Sequence, residues 1–555
     1  MLRHTNYLLT LIFTISLFLF GCSGDNEETV ISEDFKLNEI IIDGKSNQES
    51  YTEIDPQNLS IELKFSVAVD KSTIENNITL KDKSNNAVKL LFSYTSDKVI
   101  VIKPESALAT FSSYSFVILP NIKSQNGTAI LTGKIYSIST SMDMTDKFPR
   151  ISDDELLDLV QKQTFKYFWD FGHPTSGMAR ERSTSGDVVT TGGTGFGIMA
   201  MIAASERDFI SKTAALERVQ KIVTFLDTKT TSYHGAYAHW INGNTGATVP
   251  FSQYDDGADL VETALLFQGL LTARQYFNAD NTTEKKLRED ITKLWEAIEW
   301  TWFQKDGGNV LYWHWSPNVG WQMNLKIQGW NEALITYVLA ASSPTYPISA
   351  EVYKQGWTRN GAFTQNKTYY GYQLPLGIDY GGPLFFSHYS FLGINPKDLT
   401  DQYTNYWTQN RNHSLINYNY CVNNPKGFNG YSKDCWGLTA SDGNDGYNAH
   451  SPTNDKGVIA PTAALSSMPY TPEESMRALH FFYYKLGDKL WSNYGFVDAF
   501  NLSVQWFDNQ YIAIDQGTII VMLENHRTGL LWSLFMSDQE IKDGLKKVGF
   551  QSPNI

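Results

Sequence analysis

Two hydrophobic periods divide this chain. From about residue 35 to residue 142, apolar and polar positions alternate. Leu59, Ile61, Leu63 and Phe65 interleave with Ser60, Glu62, Lys64 and Ser66, the period-two pattern of a half-buried strand. Val99–Ile102 and Ser115–Leu119 are further β-rich runs, separated by turn signals such as Ser84-Asn85-Asn86 and Gln125-Asn126-Gly127. Short strands at this density predict an immunoglobulin-like β-sandwich over 35–142. Met142–Arg150 is polar, carries Pro149 and reads as a linker. From Ser152 the period becomes helical. Ser152 followed by Glu155 is a capping box, and Leu156, Leu159, Val160, Gln163, Tyr167 and Phe168 then recur on one face. Further helices are predicted over Ala214–Leu226, Leu260–Phe277, Glu284–Phe303, Trp330–Ala341, Pro472–Leu486 and Gln516–Phe535. Strands and helices do not alternate, which argues against a doubly wound sheet. About a dozen helices over residues 150–555 suit a closed ring of helix pairs. A solenoid competes, but no repeat of fixed period occurs.

The first segment is an address. Arg3 and His4 precede an apolar run, Tyr7–Phe20, that is short for a membrane span and fits a signal peptide over residues 1–21. It ends in Leu19-Phe20-Gly21-Cys22, which resembles a bacterial lipobox. That resemblance implies lipidation of Cys22 and export to the outer membrane, facing the periplasm or the cell surface. Residues 22–34 then form a polar, acidic tether. Two cysteines remain, Cys421 and Cys435, 14 positions apart. In an exported protein they form either a disulfide, contributing on the order of 3 kcal/mol, or two buried thiols.

Composition narrows the function. The formal charge is −14, where a nucleic-acid binder would show a basic surplus. Aromatic residues make up 14%, and all 15 Trp fall after residue 150. Several stand in loops beside Asp, Asn and Gly: His239-Trp240, Tyr312-Trp313-His314-Trp315, Trp436 and Tyr447. A sugar ring offers a C–H face for such rings and a rim of hydroxyls for the polar neighbours.

Three acidic segments complete the signal. In Tyr254–Ala264, Asp255, Asp259 and Glu262 sit at i, i+4 and i+7, one helix face where like charges repel. First-turn acids on a solvated face would be the bland explanation, but Leu260, Val261, Ala264 and Leu265 mark buried surroundings. In Gln328–Ala333, Glu332 lies beside Trp330 and Asn331. Burial there would raise its pKa and keep a proton available near neutrality, whereas a first-turn Glu behind a capping Asn331 is the structural alternative. Asp515 opens a helix that is apolar from the start, either as a cap or as a site group. Thr190–Gly197 is glycine-rich but lacks the Lys-Ser/Thr ending of a phosphate loop, so close helix packing or loop geometry is expected. No zinc-binding spacing and no nucleophile elbow occur, so neither a metal nor a cofactor is expected.

Together, Arg180–Ser183, Thr190–Gly197, Tyr254–Ala264, Gly329–Ala333, Asp379–Phe385, Trp436–Gly443 and Asp515–Leu523 resemble the glucoamylase-like proteins of glycoside hydrolase family 144. The resemblance covers about residues 150–550. It implies an (α/α)6 barrel and inverting hydrolysis of β-1,2-glucan to sophorose or short oligosaccharides. The strand-rich segment resembles bacterial Ig-like domains found ahead of surface enzymes. Carried over by position, Glu332 is the expected acid and Asp515 the expected base, with Asp255 and Asp259 as rivals. Glu262, Glu181, Arg182, Trp240, Tyr254, Trp330, Trp436 and Tyr447 would position sugar. The implied partner is a β-glucan, with membrane contact only through the lipid anchor and a monomeric state. Hydrolysis of another glucan, or non-catalytic glycan binding, are the competing readings.

Overall fold

The computed structural model describes residues 34–555, so the signal peptide, Cys22 and nearly all of the tether lie outside the described residues. Tertiary contacts divide the chain between Asp143 and Met144.

The first unit is a sandwich of two five-stranded sheets. Its strands are β1 (Leu37–Ile42), β2 (Lys45–Ser46), β3 (Ser50–Ile54), β4 (Ile61–Phe65), β5 (Ile78–Asp82), β6 (Ala87–Val88), β7 (Leu90–Ser96), β8 (Val99–Pro104), β9 (Ser113–Ile118) and β10 (Lys134–Thr140). One sheet runs β2-β1-β4-β8-β7 and the other β3-β10-β9-β5-β6, antiparallel except for the β3–β10 pair. The alternating run behaves as its pattern requires: Leu59, Ile61, Leu63 and Phe65 all enter the core, where they meet Ile100, Ile102, Phe116 and Ile138.

The second unit contains twelve α-helices of six residues or more: α1 (Asp153–Trp169), α2 (Thr191–Glu206), α3 (Lys212–Thr228), α4 (Leu260–Tyr276), α5 (Thr282–Glu296), α6 (Leu334–Ser342), α7 (Tyr406–Asn423), α8 (Pro461–Ser466), α9 (Pro472–His480), α10 (Ala513–Arg527), α11 (Leu530–Ser537) and α12 (Gln539–Lys547). They sort by how completely they are buried. α2, α4, α6, α8 and α10 are buried on almost every face. α1, α3, α5 and α9 are amphipathic, with one face in solvent. All-round burial marks an inner ring and amphipathicity an outer one. Along the inner ring α6 packs on α4, α4 on α2, α2 on α10 and α10 on α8. The gap between α8 and α6 is bridged by two 3₁₀ turns, Leu384–Ser387 and Tyr389–Leu392. There the Ile335 N–H donates to Ser390 Oγ over 3.0 Å, and His388 Nε2 lies 3.0 Å from Ser467 Oγ. The second unit is thus an (α/α)6 barrel, and the first an Ig-like sandwich.

The glycine-rich run is the start of α2, and its glycines explain the ring's closest crossing. A Cβ at Gly195 would meet the Leu265 carbonyl oxygen at 2.2 Å, and one at Gly269 would meet the Gly195 carbonyl at 2.1 Å. Only glycine lets α2 and α4 approach so closely. Several predicted boundaries shift. The helix expected from Trp330 starts at Leu334, and the one expected through Phe535 breaks at Thr528-Gly529, where Gly529 has φ +71°. Cys421 and Cys435 are buried free thiols, which corrects the disulfide alternative.

Candidate active site

The loops that precede the inner helices meet at one mouth of the barrel and enclose a cavity of about 380 Å³. Its walls come from all around the ring: Glu181, Arg182 and Thr190 before α2, His239 and Trp240, Val261, Glu262 and Leu265 of α4, Trp313, Glu332 before α6, Phe385 and Tyr389 of the 3₁₀ turns, Tyr447, and Ile512 and Ile514 at the start of α10. Inner-helix N-termini therefore face the cavity, and their dipoles favour negative charge there.

Glu262 sits in the first turn of α4. Its Oε2 accepts the Gly192 N–H over 2.7 Å, while Oε1 lies 3.9 Å from His239 Nε2. Gly192 is glycine for this reason, since a Cβ there would stand 2.7 Å from that carboxylate oxygen. Burial raises the Glu262 pKa, and the facing His239 pulls it back. Glu332 lies just before α6, on the cavity wall. Burial raises its pKa to about 7, its own backbone N–H opposes the rise, and the charges of Asp259 and Glu262 add to it.

Asp255 and Asp259 do not share a helix face with Glu262. The helix starts at Leu260, because Asp259 is its N-cap and accepts the Val261 and Glu262 N–H groups over 3.0 and 2.9 Å. Both aspartates lie behind the cavity wall, clasped by two histidines. Asp259 Oδ2 is 3.1 Å from His239 Nδ1 and 3.5 Å from His314 Nε2, and Asp255 Oδ2 is 3.3 Å from His314 Nε2. Burial works against charge on both histidines, but the carboxylates outweigh it and raise each pKa to about 9. In return they hold the Asp259 carboxyl well below its ordinary range, despite its burial. His239 and His314 were visible in the sequence only as neighbours of tryptophan, with no spacing that tied them to the acids.

Asp515 lies in the first turn of α10 and is 2% exposed, behind Ile512 and Ile514. Neither of its oxygens accepts from an N–H or hydroxyl donor, and its polar neighbour is the Asp498 carboxyl. Burial raises its pKa, while contact with the Asp498 carboxyl opposes the rise. Arg182 closes this side of the cavity. Its Nη1 reaches both oxygens of Asp442 over 3.1 and 2.9 Å, and its Nε reaches Glu181 over 3.0 Å.

Of the four acids assigned to catalysis by position, Glu332 alone lines the cavity, so Asp515, Asp255 and Asp259 reach it only through other groups. Of the sugar-positioning set, Glu262, Glu181, Arg182, Trp240 and Tyr447 line it. Tyr254, Trp330 and Trp436 do not. Trp330 is 5% exposed and packs on Phe391 and Tyr406, and Trp436 is fully buried against Tyr418, donating its indole N–H to the Glu474 carbonyl. Both are core residues beneath loops, a correction to their reading as platforms. The aromatic wall is instead His239 stacked on Phe251, with ring centroids 4.3 Å apart, flanked by Trp240.

A helical ring whose mouth brings carboxylates, one arginine and aromatic rings onto a single cavity defines a glycoside hydrolase of the (α/α)6 type. The comparisons agree. The Glycoamylase family model matches residues 324–539, a model of bacterial Ig-like domains matches 45–140, and one of unknown function matches 160–280. The endo-β-1,2-glucanase of Chitinophaga pinensis is 52% identical, with a TM-score of 0.72 over 73% of this chain and 100% of that one. The β-1,2-glucanase of Parabacteroides distasonis is 38% identical, with a TM-score of 0.70 over 93% of this chain and 73% of that one. An exo β-1,2-glucooligosaccharide sophorohydrolase (non-reducing end) from Parabacteroides distasonis is 46% identical over 420 residues. The match takes in 72% of this chain and spans 58% of that relative's length. The chain belongs to glycoside hydrolase family 144.

Proposed function

We propose that this protein hydrolyses β-1,2-glucan with inversion, releasing sophorose or short β-1,2-glucooligosaccharides. The observation that carries the reading is the pairing of Glu332 and Glu262 on one aromatic-walled cavity, in a chain 52% identical to a β-1,2-glucanase over that protein's whole length. Inversion needs a proton donor on the leaving oxygen and a base for water on the opposite face. Glu332, with a pKa of about 7, holds a proton near neutral pH and supplies the donor. Glu262 is the base. One of its oxygens is fixed by Gly192, and the other is turned towards His239 at the cavity. Asp515, the base expected from its position, is enclosed behind Ile514, and Arg182, Trp240 and Tyr447 bind sugar hydroxyls and faces.

Supplied with linear β-1,2-glucan, the purified protein should release short products, with the α-anomer first by NMR. Activity on starch alone would refute the substrate, and early β-anomer would refute inversion. Outside the described residues, the lipobox at Leu19–Cys22 supports an exported outer-membrane lipoprotein, and a monomeric state is part of the same proposal. Palmitate labelling lost in Cys22→Ala would test the anchor, and light scattering the monomer.

A further inference from the structure

A second group of carboxylates lies next to the cavity. A two-stranded hairpin, β11 (Phe500–Asn501) and β12 (Trp506–Phe507), is locked below its strands by the Asp498 N–H on the Gln510 carbonyl (3.0 Å) and the Asp508 N–H on the Ala499 carbonyl (2.9 Å). This register sets Asp498 and Asp508 side by side. The loop that carries Asp442 closes over them, its N–H donating to Asp498 Oδ2 over 2.7 Å. Asp442, Asp498 and Asp508 each offer an oxygen, and the three oxygens lie within 4.8 Å of one another.

The charges around them do not balance. Among the described residues the ion pair to this trio is Arg182 on Asp442, and Arg182 is shared with Glu181. Asp508 Oδ1 takes the Asn509 and Gln510 N–H groups, but its Oδ2 is buried without a donor. Asp498 is 2% exposed, and its Oδ1 has no donor either. A fourth carboxyl, Asp515 on α10, is 2% exposed, accepts from no N–H or hydroxyl donor and touches the Asp498 carboxyl. Burying several acceptors without donors is costly unless something positive joins them.

We infer that Asp442, Asp498 and Asp508 bind one divalent cation of the calcium type. Calcium takes about six to eight oxygens at about 2.3–2.6 Å in a flexible geometry, which carboxylates gathered within 4.8 Å of one another can begin to supply. Magnesium requires about 2.0–2.1 Å and a stricter octahedron. Asp442 and Asp508 are partly exposed, so water can complete the coordination. The ion tethers the hairpin to the Asp442 loop and so fixes Arg182 against the cavity. The other acid cluster with ligand spacing, His239, Asp255 and Asp259, carries its own counter-charge in two imidazoles and needs no ion.

The test is calorimetric titration of CaCl2 into the EDTA-stripped, desalted protein, alongside thermal unfolding in EDTA and in calcium. One calcium should bind per chain and raise the Tm by a few degrees, with magnesium weaker. Asp498→Asn and Asp508→Asn should each abolish the heat and the shift. Absence of saturable calcium binding by the wild type would overturn the inference even if the variants fail to fold. So would unchanged binding in both variants, or a Tm that ignores calcium and rises only as protons are added.

Discussion

Replacing Glu332 with Gln should weaken catalysis and strengthen the fold at once, in a pH-dependent way. In the folded protein its pKa rises from an ordinary 4.5 to about 7, chiefly through burial. Between those values the folded state holds a proton that the unfolded state has released, so stability falls as pH rises from about 4.5 through about 7. At roughly 1.4 kcal/mol per unit, the full penalty above pH 7 is about 3 kcal/mol. Part of it belongs to the neighbouring Asp259 and Glu262 charges, which outlast the substitution and act only on a charged partner. Gln has nearly the same shape and cannot ionise. Glu332→Gln should therefore match the wild type near pH 4.5 and exceed it by about 2–3 kcal/mol at pH 8. For a unit of about 400 residues this is a Tm gain of about 3 °C. Over the same range kcat on β-1,2-glucan should fall by orders of magnitude, and the alkaline limb of the wild-type profile near pH 7 should vanish. Scanning calorimetry at pH 5 and pH 8 measures the first effect, and reducing-sugar release the second. A variant with no extra stability at pH 8 would show that Glu332 carries no buried charge, and the assignment of the acid would fall with it.

Gly195→Ala should cost several kcal/mol, since its Cβ would meet the Leu265 carbonyl at 2.2 Å and part α2 from α4; an unchanged denaturation midpoint would refute the packing argument. Arg182→Met keeps the stem but frees Glu181 and Asp442, so KM for oligosaccharide should rise at least tenfold, which initial-rate kinetics would check. Cys421 and Cys435 should react with a thiol reagent only on unfolding, with the Tm indifferent to reductant; a reductant-sensitive Tm would restore the disulfide.

The parts of this fold that the sequence discloses are those whose burial is one-sided. β4 alternates because one face meets the core, and α1 shows a stripe and a capping box because its other face is wet. Two kinds of element leave no such trace. The 3₁₀ turns that complete the inner ring are too short to establish a period. α7 buries Gln409, His413, Ser414 and Asn417, polar groups satisfied by partners such as the Leu376 and Leu438 carbonyls, so its pattern reads as loop. The site divides in the same way. Glu332 and Glu262 could be picked out as acids in apolar company. Sequence spacing could not tell which acids face the cavity and which sit one layer back, because that depends on where α4 begins and on histidines 20 and 55 residues from Asp259. Asp498 and Asp508 were invisible, since a hairpin register brings them together.

The ring has a seam. Arg182 pairs with Ile512 through the backbone, and the Ala513 N–H donates to the Glu181 carbonyl over 2.9 Å, so the first cavity wall is stitched to the last. During synthesis on the ribosome, residues 181–190 emerge more than 300 residues before α10 can meet them. Until then α2 has one inner neighbour where it needs two, and its wholly buried surface is open on one side. The nascent barrel therefore exposes that apolar surface until nearly the whole chain has emerged, a state prone to aggregation. A chain cut short before Ala513 would lose the active site and the fold together, so truncated forms should be cleared rather than accumulate as partly active enzyme.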